Sequence, residues 1–163
     1  FYFVHPDGAV QHYDKKHLFT FGGEHKRFTA GTERVVVNFR GVRILLEVCY
    51  DLRFPVWSRN LGDYDMILYV ASWPTPRVDA WSALLRARAI ENQCYVAGVN
   101  RMGTDPACEY SGGSAIIDPY GKTIAECPWS RESAVSADID MEALQAFRKK
   151  FPVLDDADPF TLI

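Results

Sequence analysis

The sequence lacks several features that would place the chain in a specialised class. No run of about 18 apolar residues occurs, so no membrane-spanning helix is predicted. Basic residues are not in excess, since the net charge is −3, and this argues against nucleic-acid binding. The cysteines have no C-x-x-C spacing and the histidines no H-x-x-x-H pattern. Neither a metal site nor a cofactor is therefore predicted.

The low cysteine content also indicates a cellular compartment. Four cysteines in 163 residues favour free thiols in a reducing environment over a disulfide framework. No signal-peptide pattern is visible, and a cytoplasmic location is predicted. The length and the apolar content of 48% predict a single globular domain over residues 1–163.

Short strands, turns and two helices alternate along the chain. Apolar residues at 3.6-residue spacing predict a helix over 77–92, and Asp140 is a predicted N-cap for a helix over 141–149. A long loop is predicted over 14–32, and such loops in compact domains are usually functional. The predicted strands cover 1–4, 9–13, 35–39, 42–48, 66–71, 95–99, 114–117, 123–125 and 134–139. These elements predict an α/β sandwich with helices on the outer faces.

The strand over 42–48 leads directly into Cys49. Pro55 follows six residues later, at a predicted first helical turn. The cysteine is thus expected at a strand-to-helix elbow, where the helix dipole and free N–H groups favour a thiolate. The backbone N–H of Tyr50 would point to a developing oxyanion. The alternative is that Cys49 is a small buried core residue.

Three further residues are candidates for the same cleft. A lysine of the pair Lys15-Lys16, at the head of the long loop, could stabilise a thiolate and an oxyanion, or the two could form a solvated Lys-Lys pair. Glu24 lies beside glycines and is, taken alone, an ordinary surface carboxylate. Trp73 directly follows a buried strand, and either lines a ligand pocket or lies in the core or an interface.

Together these segments resemble the nitrilase (carbon–nitrogen hydrolase) superfamily, and most of all its bacterial ω-amidase branch. The resemblance rests on C-Y-D-L-R-F-P from Cys49, on Y-V-A-S-W-P-T-P-R from Tyr69, and on segments 13–19, 86–93 and 118–121. It implies a four-layer α-β-β-α sandwich, of which this chain would be the C-terminal part. A homodimer or larger homo-oligomer is also implied, with residues 50–60 and the C-terminal tail expected at the contact.

The resemblance implies a Glu-Lys-Cys catalytic set. Cys49 matches the nucleophile, Lys15 the catalytic lysine and Glu24 the second glutamate that follows the lysine. The family's general base is another glutamate, in the N-terminal part of the fold, and no residue here matches it. Without that base, this chain alone is expected to be inactive and unstable.

The implied activity is hydrolysis of a small carboxamide through a cysteine thioester, with release of ammonia. The implied substrates are ω-amides of 2-oxo dicarboxylic acids, such as 2-oxoglutaramate. Arg53 is a candidate for binding the substrate carboxylate, although it could instead pair with Asp51, and Trp73 would shape the acyl pocket. The alternatives are another amidase of the superfamily, acting on N-carbamoyl compounds or aliphatic amides, and a non-catalytic oligomeric scaffold.

Overall fold

The computed structural model describes residues 1–161 and contains a six-stranded mixed sheet. The strands are β1 (Tyr2–Val4), β2 (Val10–His12), β3 (Val36–Phe39), β4 (Val42–Val48), β5 (Met66–Ala71), β6 (Tyr95–Asn100), β7 (Met102–Thr104), β8 (Glu109–Ser111), β9 (Ala115–Ile117) and β10 (Thr123–Glu126). The helices are α1 (Pro55–Ser58), α2 (Val78–Glu91) and α3 (Met141–Lys150). The sheet order is β10-β9-β6-β5-β4-β3, while β1–β2 and β7–β8 form separate hairpins.

The three central strands of the sheet, β4, β5 and β6, are parallel, and the outer strands are antiparallel to their neighbours. Parallel strands are usually covered on both faces, and β4 and β5 accordingly have few polar residues. The carboxyl ends of parallel strands meet at one edge of a sheet, which is the usual position of a ligand site in α/β proteins. The residues that follow β4 and β5 therefore lie side by side.

Helix α2 covers one face of the sheet. Its buried residues Trp81, Leu85 and Ala89 pack in one core with Ile67 and Val96 of the central strands. The helix approaches β6 closely because Gly98 has no side chain: a Cβ there would lie 2.7 Å from both Leu85 and Trp81. The second face has its own core, formed by the β1–β2 hairpin and by the residues Tyr13, Val37, Ile44, Leu46 and Trp57.

Helix α3 packs at the opposite edge from the carboxyl ends. Arg148 forms an ion pair with Asp65, which precedes β5, and donates a hydrogen bond to the carbonyl of Gln93, which precedes β6. The Asp140 side chain accepts a hydrogen bond from the backbone of Ala143 at 2.8 Å, so the predicted N-cap is confirmed.

The structure confirms the α/β class and both predicted helices, and it corrects the strand predictions in one region. Residues 134–139 form no strand, and they pair with no strand among residues 1–161. Their apolar alternation is misleading because most of these side chains are exposed, Val135 by 39%. The short strands β7 and β8 were not predicted. Residues 1–161 form the six-stranded sheet, a helix layer on one of its faces and the β1–β2 hairpin against the other. No helix in this part of the chain has the length and apolarity needed to cross a membrane.

Candidate active site

Cys49 lies at a sharp elbow immediately after β4. Its backbone φ is +49°, a left-handed conformation that is unusual for a residue with a side chain. A 3-10 turn over Cys49–Arg53 follows, and Pro55 is the first residue of α1. The structure thus confirms the predicted elbow. It presents Cys49 at the carboxyl edge of the sheet, with its Sγ 3.9 Å from the carbonyl oxygen of Ser72 after β5.

The Cys49 thiol is subject to two opposing influences. Burial raises the pKa of the thiol, because a thiolate is less well solvated there. The Lys15 ammonium lowers the same pKa, because a nearby positive charge favours the thiolate. Burial is the larger influence, so the pKa of Cys49 is raised on balance, contrary to the thiolate expected at the elbow.

Lys15 forms an ion pair with Glu24 in the partly buried loop between β2 and β3. The Lys15 Nζ lies 2.7 Å and 3.0 Å from the two carboxylate oxygens of Glu24, and the Lys15 side chain is only 13% exposed. Glu24 Oε2 also accepts a hydrogen bond from the backbone N–H of Phe19 at 2.8 Å. Lys16 has a different environment, since its ammonium lies over the ring of Trp57. The idea of a solvated Lys-Lys pair is therefore wrong for Lys15.

A cavity of about 750 Å³ opens at this edge of the sheet. Its lining includes all six residues that the sequence singled out, namely Lys15, Glu24, Cys49, Tyr50, Arg53 and Trp73. Such a volume is typical of small-molecule sites. The structure thus brings the six residues together around one space.

Trp73 forms a wall of this cavity and is itself 3% exposed. Its backbone N–H donates to Asn100 Oδ1 at 2.7 Å, and its indole N–H donates to the carbonyl of Arg77 at 2.7 Å. The Arg53 guanidinium lies 4.9 Å from the centre of the Trp73 ring. The alternative pairing of Arg53 with Asp51 is wrong, because the buried Asp51 carboxylate has other partners.

Asp51 joins the elbow to the lysine-bearing loop, and sequence reasoning missed this role. Its carboxylate accepts hydrogen bonds from the Tyr13 hydroxyl at 2.8 Å and from the backbone N–H of His17 at 2.8 Å. The His17 ring nitrogen lies 2.9 Å away, and the N–H of Val48 donates at 3.1 Å. Tyr13 and His17 flank Lys15 in sequence, so one carboxylate holds the lysine and the cysteine segments together. An acidic residue two positions after the cysteine was the available signal.

Further residues line the cavity without having been singled out, among them Arg77, Cys108 and Tyr110. Cys108 and Tyr110 belong to the β7–β8 hairpin region, which the sequence patterns did not predict. Within residues 1–161, no cluster of three or more histidine, cysteine, aspartate or glutamate residues could hold a metal ion.

Comparison with known proteins gives a consistent result. Residues 1–149 match the family model described as carbon-nitrogen hydrolase. The chain is 55% identical over 163 residues to the omega-amidase YafV of Escherichia coli K12, covering 99% of this chain and 64% of that protein. It is 42% identical over 149 residues to the 2-oxoglutaramate amidase of Bacillus subtilis, covering 90% of this chain and 57% of the relative. The chain thus spans slightly less than two thirds of the length of these relatives.

Solved structures show the same likeness. A CN-hydrolase superfamily protein of Xanthomonas campestris, described with an arsenic adduct in its active site, superposes with a TM-score of 0.96 at 48% identity. That superposition covers 99% of this chain and 64% of the other. A mutant amidase from Nesterenkonia, in complex with butyramide, superposes with a TM-score of 0.73 at 25% identity, covering 93% of this chain and 59% of the other.

Proposed function

The chain belongs to the carbon–nitrogen hydrolase family, and we propose that it carries the nucleophile, lysine and second glutamate of an ω-amidase. The substrate is the ω-amide of a 2-oxo dicarboxylic acid, of which 2-oxoglutaramate is the model. The observation that carries this proposal is the convergence of Cys49 with the Lys15–Glu24 pair on one cavity. The names of the relatives, an omega-amidase and a 2-oxoglutaramate amidase, support the substrate class.

In the proposed first half-reaction, the Cys49 sulfur attacks the amide carbon and the carbonyl electrons move onto oxygen. The resulting oxyanion is stabilised by the Lys15 ammonium and the backbone N–H of Tyr50. The tetrahedral intermediate then collapses, the C–N bond breaks, and nitrogen leaves as ammonia with the proton that the thiol has given up. A thioester on Cys49 remains. Water attacks it in the second half-reaction, releasing the dicarboxylic acid and restoring the thiol.

Glu24 serves in this scheme to hold Lys15. Both of its carboxylate oxygens contact the lysine ammonium, and one also accepts from Phe19, so its hydrogen-bonding capacity is largely used. A fixed ammonium needs little reorganisation when the oxyanion forms, and this is the source of electrostatic catalysis. The general base that the resemblance implies matches none of the 163 residues.

Arg53 is the proposed partner of the substrate's free carboxylate. Its guanidinium lies over Trp73 in the cavity lining, and no carboxylate among the described residues forms an ion pair with it. A planar guanidinium binds a carboxylate through two parallel hydrogen bonds, which fixes orientation as well as position. Trp73 supports this group and shapes the pocket for the acyl chain.

The experiment is ammonia release from 2-oxoglutaramate by the full-length gene product that includes these 163 residues. Cys49→Ala is expected to abolish release, because it removes the proposed nucleophile. Cys127→Ala is the matched control, since Cys127 is a buried thiol outside the cavity, and it should retain activity. Release from N-carbamoyl amino acids or butyramide instead would indicate another amidase. No release from any of these amides by folded protein would favour the scaffold.

The assembly and compartment belong to the same proposal. All four cysteines are free thiols, which fits a cytoplasmic enzyme. We propose a homodimer or larger homo-oligomer formed through residues 50–60 and the C-terminal tail. Val56 and Phe160 expose 53% and 42% of their surface in these segments. Sedimentation velocity measures the assembly, and a monomer at micromolar concentration would contradict this part of the proposal.

A further inference from the structure

We infer that Arg77 is a second specificity-determining residue, which works with Arg53 to select 2-oxo acids against 2-amino acids. This inference rests on the proposed function. Arg77 lies just before α2 and lines the same cavity as Cys49 and Arg53. Sequence reasoning gave it no role.

Trp73 contacts both arginines that line the cavity. The Arg53 guanidinium lies over the face of its ring, and its indole N–H holds the backbone carbonyl of Arg77 at 2.7 Å. The Arg77 guanidinium in turn lies 5.5 Å from the centre of the Phe19 ring, and Phe19 also lines the cavity. Each guanidinium therefore rests on an aromatic side chain, which restricts its motion and leaves its N–H groups available.

The charge balance of the lining leaves these two cations without partners. Two of the lining residues are acidic, Asp14 and Glu24. Glu24 is paired with Lys15, and the Asp14 side chain is 73% exposed and lies beside His12. Within residues 1–161, neither Arg53 nor Arg77 forms an ion pair with a carboxylate. A cavity with two unpaired guanidinium groups fits a ligand end that has negative charge and acceptor oxygens only.

A 2-oxo acid has such an end, because its carboxylate and its keto oxygen both accept hydrogen bonds. The corresponding 2-amino acid has an ammonium at the position of the keto oxygen, and this cation would enter a cavity lined by two unpaired guanidinium groups. Like charges within one cavity are mutually unfavourable, and more so where water is excluded. Arg77 therefore favours 2-oxoglutaramate in two ways, by donating hydrogen bonds to its oxygens and by repelling the ammonium of glutamine.

The test compares Arg77→Gln with the parent protein on 2-oxoglutaramate, glutamine and butyramide, in the full-length gene product. Loss of a charged hydrogen-bond partner is expected to lower kcat/KM for 2-oxoglutaramate by about 10- to 100-fold. The loss on butyramide should be smaller, since butyramide has no carboxylate. The ratio of 2-oxoglutaramate to glutamine turnover should also fall. Arg86→Gln is the matched control, because Arg86 is an exposed arginine of α2 outside the cavity.

The outcomes separate this inference from the proposed function. Parent protein that releases no ammonia from 2-oxoglutaramate would overturn the proposed function itself. An active parent whose Arg77→Gln variant keeps the same substrate ratio within about twofold would overturn the role of Arg77 alone. If Arg77→Gln does not fold, Arg77→Lys replaces it in the test. Lysine keeps the charge but not the planar donor geometry, so this variant should show an intermediate ratio of 2-oxoglutaramate to glutamine turnover. An unchanged ratio in Arg77→Lys would then contradict the inference.

Discussion

The carboxyl groups of Glu47 and Asp51 lie two residues before and two residues after Cys49, and both are fully buried in opposite kinds of surroundings. Asp51 accepts hydrogen bonds from a tyrosine hydroxyl, a histidine and two backbone N–H groups. Glu47 accepts one, from the Ser58 hydroxyl at 2.9 Å, and its second oxygen has no partner among the described residues. A buried carboxylate is stable only where donors replace the lost water. Asp51 therefore stabilises the elbow through a buried hydrogen-bond network, whereas Glu47 packs against the core with few hydrogen bonds.

This difference has a consequence for protonation. Burial raises the pKa of Glu47 to about 8, so its neutral form predominates at pH 7. Glu47 lies on the face of the sheet that α2 covers, next to the buried Tyr69 and Ser58. Arg88 of α2 donates instead to the carbonyl of Leu52 in the elbow. Helix α2 thus contacts the elbow at a backbone carbonyl, and the lysine-bearing loop contacts it at the Asp51 carboxylate.

The largest expected effect on stability comes from removing the hydrogen-bond network of Asp51. Asp51→Ala leaves the Tyr13 hydroxyl and the backbone N–H groups of His17 and Val48 without their buried acceptor. We expect a loss of about 3–5 kcal/mol in the free energy of unfolding, measured by urea denaturation. Asp138→Ala removes an exposed carboxylate and should change stability by less than about 0.5 kcal/mol. Similar small changes in both variants would show that the Asp51 network does not hold the elbow.

The second effect is a pH dependence of stability caused by Glu47. Its pKa in the folded state is about 8, against 4.5 for the group in its usual environment. Between these values the folded state keeps a proton that the unfolded state releases, so stability decreases as pH rises. We expect Glu47 to contribute a loss of about 2 kcal/mol between pH 5 and pH 7. Glu47→Gln should remove this contribution, and urea denaturation across that pH range measures it. An identical slope in parent and variant would contradict the assignment of a neutral Glu47.

Sequence patterns predicted the positions of Cys49 and Trp73 well because both residues follow a recognisable local signal. Cys49 ends a buried strand and precedes a proline, and Trp73 directly follows the next parallel strand, so topology alone places them together. Lys15 and Glu24 lie in a loop without periodicity, and here only the family resemblance connected them with the cysteine. The contacts around Asp51 join residues 34 and 38 positions apart in the chain, and no local pattern encodes such pairs.

The strand predicted over 134–139 is an example of a local pattern that misled the prediction. Alternation of small apolar and polar residues is a weak signal, because a strand also needs a neighbour with free backbone groups. The edge strand β10 ends at Glu126, and the chain then continues to α3 without pairing. The proposed role of Arg77 also could not be predicted from a local pattern. It depends on the absence of a carboxylate partner, which only the three-dimensional structure reveals.

The third and smallest effect concerns the reactivity of the nucleophile. The Lys15 ammonium lowers the pKa of the Cys49 thiol against the larger influence of burial. Lys15→Ala removes that charge, so the pKa rises and less thiolate is present at neutral pH. We expect alkylation of Cys49 by iodoacetamide at pH 7 to be severalfold slower in this variant than in the parent protein.

Lys16→Ala is the matched control for this measurement, because the neighbouring lysine lies over Trp57 and does not line the cavity. Mass spectrometry should follow the Cys49 peptide specifically, since Cys108 also lines the cavity. Equal slowing in both lysine variants would mean that general charge near the elbow, and not the fixed Lys15 ammonium, sets the thiol's reactivity. Slowing in Lys15→Ala alone would link the loop held by Asp51 directly to the chemistry of Cys49.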